Sequence, residues 1–209
     1  MEKRRIPTAV YAEMTPNPAV MKFVADRMLI DGGAQAAYTT KSAAAGSSPL
    51  AEELFNFPFV TAVFISGNYV AVTKDDSLGW EMIVQQLREY LHEWLMEHEV
   101  CVTQVPDVLP EPPADERPSV TASADFINES EVVPSAFDDQ IRDLLDNFVR
   151  PAVEQDGGAI DFKAYKEGKV YVHMRGACAG CPSSMQTLKN GIENLLKAHI
   201  PEVTEVVAG

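Results

Sequence analysis

Between residues 78 and 99 the apolar side chains Ile83, Leu87, Tyr90, Leu91, Trp94 and Leu95 return every three or four positions, the spacing that gathers side chains on one face of an α-helix. A helix from Leu78 to about Glu99 is predicted. Upstream the period changes. The run VTAVFISGNYVAVTK reads as two strands meeting near Ser66-Gly67-Asn68, KFVADRML as a short strand or an ambiguous apolar run, and SPLAEELFNF as a short helix opened by a Ser48 cap. The first half is therefore expected to be a small α+β unit without evident chemistry. His92 and His98 lie among charged residues of its long helix, where a solvated histidine is favoured over a metal ligand.

The second half is patterned more sharply. Phe137, Ile141, Leu144, Leu145, Phe148 and Val149 repeat at helical spacing behind Ser135, with Asp138 at the capping-box position, and Pro151 should kink or end that helix. Asp156-Gly157-Gly158 turns the chain into AIDFKAY. KEG then leads into KVYVHM, where Val170, Val172 and Met174 alternate with Tyr171 and His173, so the pair forms a hairpin. After GACAGC, the segment PSSMQTLKNGIENLLKAHI sets Met185, Leu188, Ile192, Leu195 and Leu196 on one face, and EVTEVV supplies a last short strand. The order is α-β-β-α-β.

Between the halves, residues 106–134 carry six prolines and seven acidic residues against one arginine, and like charge with proline keeps such a stretch extended. The fold class is α+β: two small α+β domains, 1–104 and 135–209, joined by a flexible acidic proline-rich linker, 105–134. A formal net charge of −14 over 209 residues repels phosphate backbones and anionic membranes, and no basic patch offsets it, so neither nucleic acid nor membrane is an expected partner. No apolar run is long enough to cross a bilayer, and the opening MEKRRIPTAV has three basic residues with no apolar stretch behind them. The expected compartment is the cytoplasm.

Three cysteines, Cys101, Cys178 and Cys181, are too few and too odd in number for a disulfide framework. Cys178 and Cys181 form a CxxC between hairpin and helix, with Cys181 at the N-cap and Pro182 at the first helical position. The free amides of that helix start favour thiolate at Cys181 and extend the same influence toward Cys178. Gly176, Ala177, Ala179 and Gly180 leave the sulfurs uncrowded. Three readings compete. A thioredoxin-type redox pair needs further strands after the helix, and too few residues remain. A zinc site takes four ligands, yet His173 alternates outward and His199 sits beside Lys197 near a helix end, so two cysteines supply only half. An iron-sulfur cluster also takes four thiolates, which two identical chains would provide.

The run from Val149 to Val203, with DGG, the hairpin, GACAGCPSS and the amphipathic helix in that order, strongly resembles the C-terminal domain of the NifU/Nfu family of iron-sulfur cluster carriers. TPNPAVMKF (15–23), SPLAEELF (48–55) and FPFVTAVFISGNYVAVTKDDSLGWE (57–81) look like the N-terminal domain of the same family. Phe59 departs from it where a glycine is expected before the valine, implying a local packing change. The resemblance implies a carrier or scaffold rather than an enzyme. It implies that Cys178 and Cys181 of two chains hold one [4Fe-4S] cluster at a homodimer interface, received from an upstream assembly scaffold and passed to apo iron-sulfur client proteins, with the N-terminal domain helping recognition. It further implies that Gly176, Gly180 and Pro182 shape the loop. Arg175 either offsets the anionic cluster or is a solvated strand-end charge, residues 156–158 make a structural turn, and Cys101 is a bystander.

Overall fold

The computed structural model describes residues 5–31, 33–105, 135–178 and 182–208, and the chain divides into two compact units within 1–112 and 113–209. In the first unit, five strands form an antiparallel sheet: β1 (Val10–Met14), β2 (Val20–Ala25), β3 (Gln35–Tyr38), β4 (Val60–Ser66) and β5 (Tyr69–Lys74), ordered β1-β2-β5-β4-β3. Its apolar face follows from register, since Met21 and Phe23 lie opposite Val72 and Val70, which in turn face Val63 and Ile65. All six are buried in one cluster with Ile83, Leu87, Leu91 and Leu95 of helix α3 (Trp80–Glu97). The stripe read from the sequence is thus the helix's core face, with Tyr90 at its margin. Phe59 is also buried here, its ring 5.6 Å from that of Phe57.

Two short helices, α1 (Lys41–Ala44) and α2 (Pro49–Leu54), complete this unit. Ser48 caps α2, accepting from the Ala51 amide at 3.1 Å while its hydroxyl donates to the Cys101 carbonyl at 2.7 Å. Helix α3 has no basic residue in its last turn. Arg27, following β2, instead donates to the carbonyls of Leu95, His98 and Glu99, which satisfies acceptors a helix end leaves open.

The second unit runs α4 (Asp138–Leu144), a π-turn (Leu145–Val149), α5 (Arg150–Gln155), β6 (Gly158–Lys166), β7 (Lys169–Gly176), α6 (Pro182–His199) and β8 (Glu205–Ala208). The expected order holds. Strands β6 and β7 are antiparallel around a two-residue turn in which Glu167 and Gly168 both have positive φ, the requirement of a type I′ hairpin. Strand β8 returns parallel to β7 after α6. Ile141, Leu145, Val149, Ile160, Val172, Met174, Ile192 and Leu196 are among the residues that close the core.

At the first helix of this unit one expectation holds and two fail. Ser135 caps it, its hydroxyl accepting from the Phe137 amide while the Asp138 carboxylate accepts from the Ser135 amide, both at 3.2 Å. Pro151 neither ends nor simply kinks the helix. The π-turn absorbs its missing N–H and inserts an extra residue into the period. Phe148 is thereby rotated outward, 61% exposed, with its ring 6.4 Å from His199.

Candidate functional site

The second unit's sheet carries the cysteine turn at one end. The inner face of the β6–β7 hairpin is a ladder of opposed residues, Tyr165 with Val170, Phe162 with Val172 and Ile160 with Met174, ending where Gly158 lies opposite Gly176. Gly176 has φ +65° and bends the chain out of β7, a conformation that costs a side-chain-bearing residue roughly 1–2 kcal/mol. The next amide, Ala177 N–H, donates to the Gly157 carbonyl at 3.2 Å, and Gly157 itself sits at φ +77°. Cys178 follows. It turns back into the core, 6% exposed and in the same cluster as Ile160 and Met174.

The sulfur's neighbourhood depends on a missing side chain. A Cβ built on Gly158 would lie 2.6 Å from Cys178 Sγ and 2.8 Å from the Arg175 carbonyl, distances that no methyl group can occupy. Gly157 and Gly158 do make the expected turn into β6, and Gly158 also packs on the thiol. The signal was present in the sequence as a glycine opening a strand, which marks close approach of another backbone or group.

Two electrostatic expectations are corrected. Cys178 is neither uncrowded nor biased to thiolate: burial pushes its thiol up to about 11, and Asp156 adds to the effect. Desolvation outweighs whatever the helix start offers at this position. Arg175 is not a solvated strand-end charge, for it pairs with Asp161 across the hairpin with only 12% of its side chain exposed. Burial, and then Arg150 nearby, lower its pKa. Its Nε has no hydrogen-bond partner among the described residues.

Cys181, Ala179 and Gly180 lie outside the described residues. Helix α6 does begin at Pro182. His173 is half-buried on β7 and His199 is exposed at the end of α6. Among the described residues no group of three or more His, Cys, Asp or Glu side chains could hold a metal ion, and no helix is long and apolar enough to cross a membrane. In the first unit Cys101 is 1% exposed, and its thiol is also pushed up to about 11 by burial, with Arg27 acting in the opposite sense.

The chain thus combines a hairpin that delivers a glycine-seated cysteine to the start of a long helix with a separate α+β unit earlier in the sequence. The NifU-like domain model matches residues 141–207, and the model for the N-terminal part of the scaffold protein Nfu/NifU matches residues 10–98. The chain belongs to the Nfu/NifU family. It is 33% identical over 198 residues to the human protein named NFU1 iron-sulfur cluster scaffold homolog, mitochondrial, covering 94% of this chain and 70% of that one. The Drosophila virilis protein of the same name is 32% identical over 197 residues, covering 94% of this chain and 60% of that one. The chain therefore spans less than two thirds of the fly relative's length. The solution structure of a NifU-like protein from Saccharomyces cerevisiae aligns with a TM-score of 0.42 and 22% identity over 49% of this chain and 89% of that chain.

Proposed function

We propose that this protein is an iron-sulfur cluster scaffold and carrier, in which Cys178 and Cys181 of two chains together bind one [4Fe-4S] cluster as cargo. The observation that carries the reading is family membership over both halves, joined to the placement of Cys178 between a hairpin and α6. The donor set suits the cargo. Thiolates are the ligands such clusters take, and two from each chain reach the four that a cubane needs. Because each chain contributes only part of the set, an incoming thiolate of an apo client can replace one ligand at a time, so release is as feasible as binding. The reading includes an upstream assembly scaffold as donor, no turnover of a substrate, and client recognition by the N-terminal unit. It keeps the cytoplasm as compartment. The names of the two relatives say mitochondrial, and imaging of the tagged chain decides between the two.

Anaerobic reconstitution with iron and sulfide tests the stoichiometry. The loaded form is expected to elute as a dimer with about four irons per two chains. A loaded monomer holding four irons would overturn the shared site.

A further inference from the structure

We infer that Gly158 is a positioning residue for Cys178: the side chain it lacks leaves a slot in the core layer where the ligand thiol is stowed in the unloaded chain. The inference rests on Cys178 being a cluster ligand. On the inner face of the β6–β7 hairpin, successive opposed pairs fill the core until the last pair, Gly158 and Gly176, contributes no side chain at all. Left empty, that gap would forfeit dispersion contacts for the surrounding residues. The Cys178 side chain fills it from the following turn, packed in one cluster with Ile160 and Met174.

The turn is built to place it there. Gly176 reverses the chain at φ +65°, and the Ala177 amide is held on the Gly157 carbonyl. A methyl at position 158 would be 2.6 Å from Sγ and 2.8 Å from the Arg175 carbonyl, so the thiol and a side chain at 158 exclude each other. A cysteine that is only 6% exposed cannot bridge to a cluster shared with a second chain. Loading therefore takes the 176–178 turn off Gly158, and the slot determines how often the ligand presents itself.

Iodoacetamide labelling of the unloaded full chain, with the modified peptide identified by mass spectrometry, reads this directly. Cys178 of the natural chain should label at least about a hundred-fold more slowly than in guanidinium, and Gly158→Ala should raise the native rate about ten-fold or more, since thiol reactivity follows access. Ile160→Val, a truncation on the same core face that leaves the slot open, should change the rate by less than about two-fold. If Gly158→Ala leaves the rate unchanged, or Ile160→Val raises it equally, the slot has no positioning role. Should Gly158→Ala not fold, the natural chain decides alone: protection supports the slot and labelling at the denatured rate overturns it. No iron is needed, so failed reconstitution would sink the cluster reading alone, whereas normal loading with freely labelled Cys178 would sink only the slot.

Discussion

Cys101 and Cys178 sit in different units, yet both are buried and both thiols are pushed up to about 11 by burial. Their electrostatic neighbours differ in the direction opposite to that expected from their roles. Arg27 acts to lower the pKa of Cys101, the proposed bystander, while Asp156 acts to raise that of Cys178, the proposed ligand. What separates them is backbone. The Cys101 carbonyl is held by the buried Ser48 hydroxyl, whereas Cys178 follows a left-handed glycine and rests against another glycine. On the proposed assignment, the ligand cysteine differs from the structural one in its backbone setting and not in exposure or acidity.

The strongest way to break the comparison is substitution at each sulfur. Cys178→Ser or Cys181→Ser should reduce reconstituted iron from about two per chain to nearly none, while Cys101→Ser should keep nearly all of it, as measured by iron assay after gel filtration. Loss at Cys101 with retention at Cys178 would reverse the assignment. A smaller effect is expected in alkali. The folded Cys101 thiol titrates at about 11 against 9.0 when unperturbed. The raised value favours the fold below pH 9, and that contribution, on the order of 3 kcal/mol, is lost as pH rises from 9 to 11. Denaturant unfolding followed by fluorescence should show the advantage of the natural chain over Cys101→Ala shrinking across that window. Both tryptophans, Trp80 and Trp94, lie on α3, so the signal reports the first unit. The smallest effect belongs to the hydroxyl that fixes Cys101. Ser48→Ala removes both the α2 cap and the bond to the Cys101 carbonyl, costing about 1–2 kcal/mol by the same fluorescence assay with iron loading unchanged.

Much of this architecture was legible in the sequence because long amphipathic elements announce their period. The stripe from Ile83 to Leu95, the hairpin around Glu167-Gly168 and the stripe from Leu188 to Leu196 all fall on helices or strands as expected. Strands β1 and β3 were not legible: VYAEM buries only Val10 and QAAY is half alanine, so neither carries a strong alternation. They exist because β2 and β4 present free edges to pair with. Phe148 misled because helical spacing assumes an uninterrupted ladder, and Pro151 forces the π-turn that shifts the period. At the site, the motif located Cys178 but not its burial. That depends on Gly158 opposing Gly176, a pairing between residues 18 apart in the chain that only register reveals. The Arg175–Asp161 pair was hidden for the same reason.

The parallel return of β8 alongside β7 sets an order of assembly. The β6–β7 hairpin closes through a two-residue turn, a local event on the microsecond scale. Strand β8 pairs with β7 only after the whole crossover, cysteine turn and α6 included, has been threaded back, and the entropy of that closure must be met before any β7–β8 hydrogen bond forms. The turn bearing Cys178 thus sits at the junction, tied on one side to the hairpin through the Ala177–Gly157 bond and leading on the other into the crossover. Amides of β8, an edge strand, should exchange with solvent sooner than those at the centre of β7, which is paired on both sides.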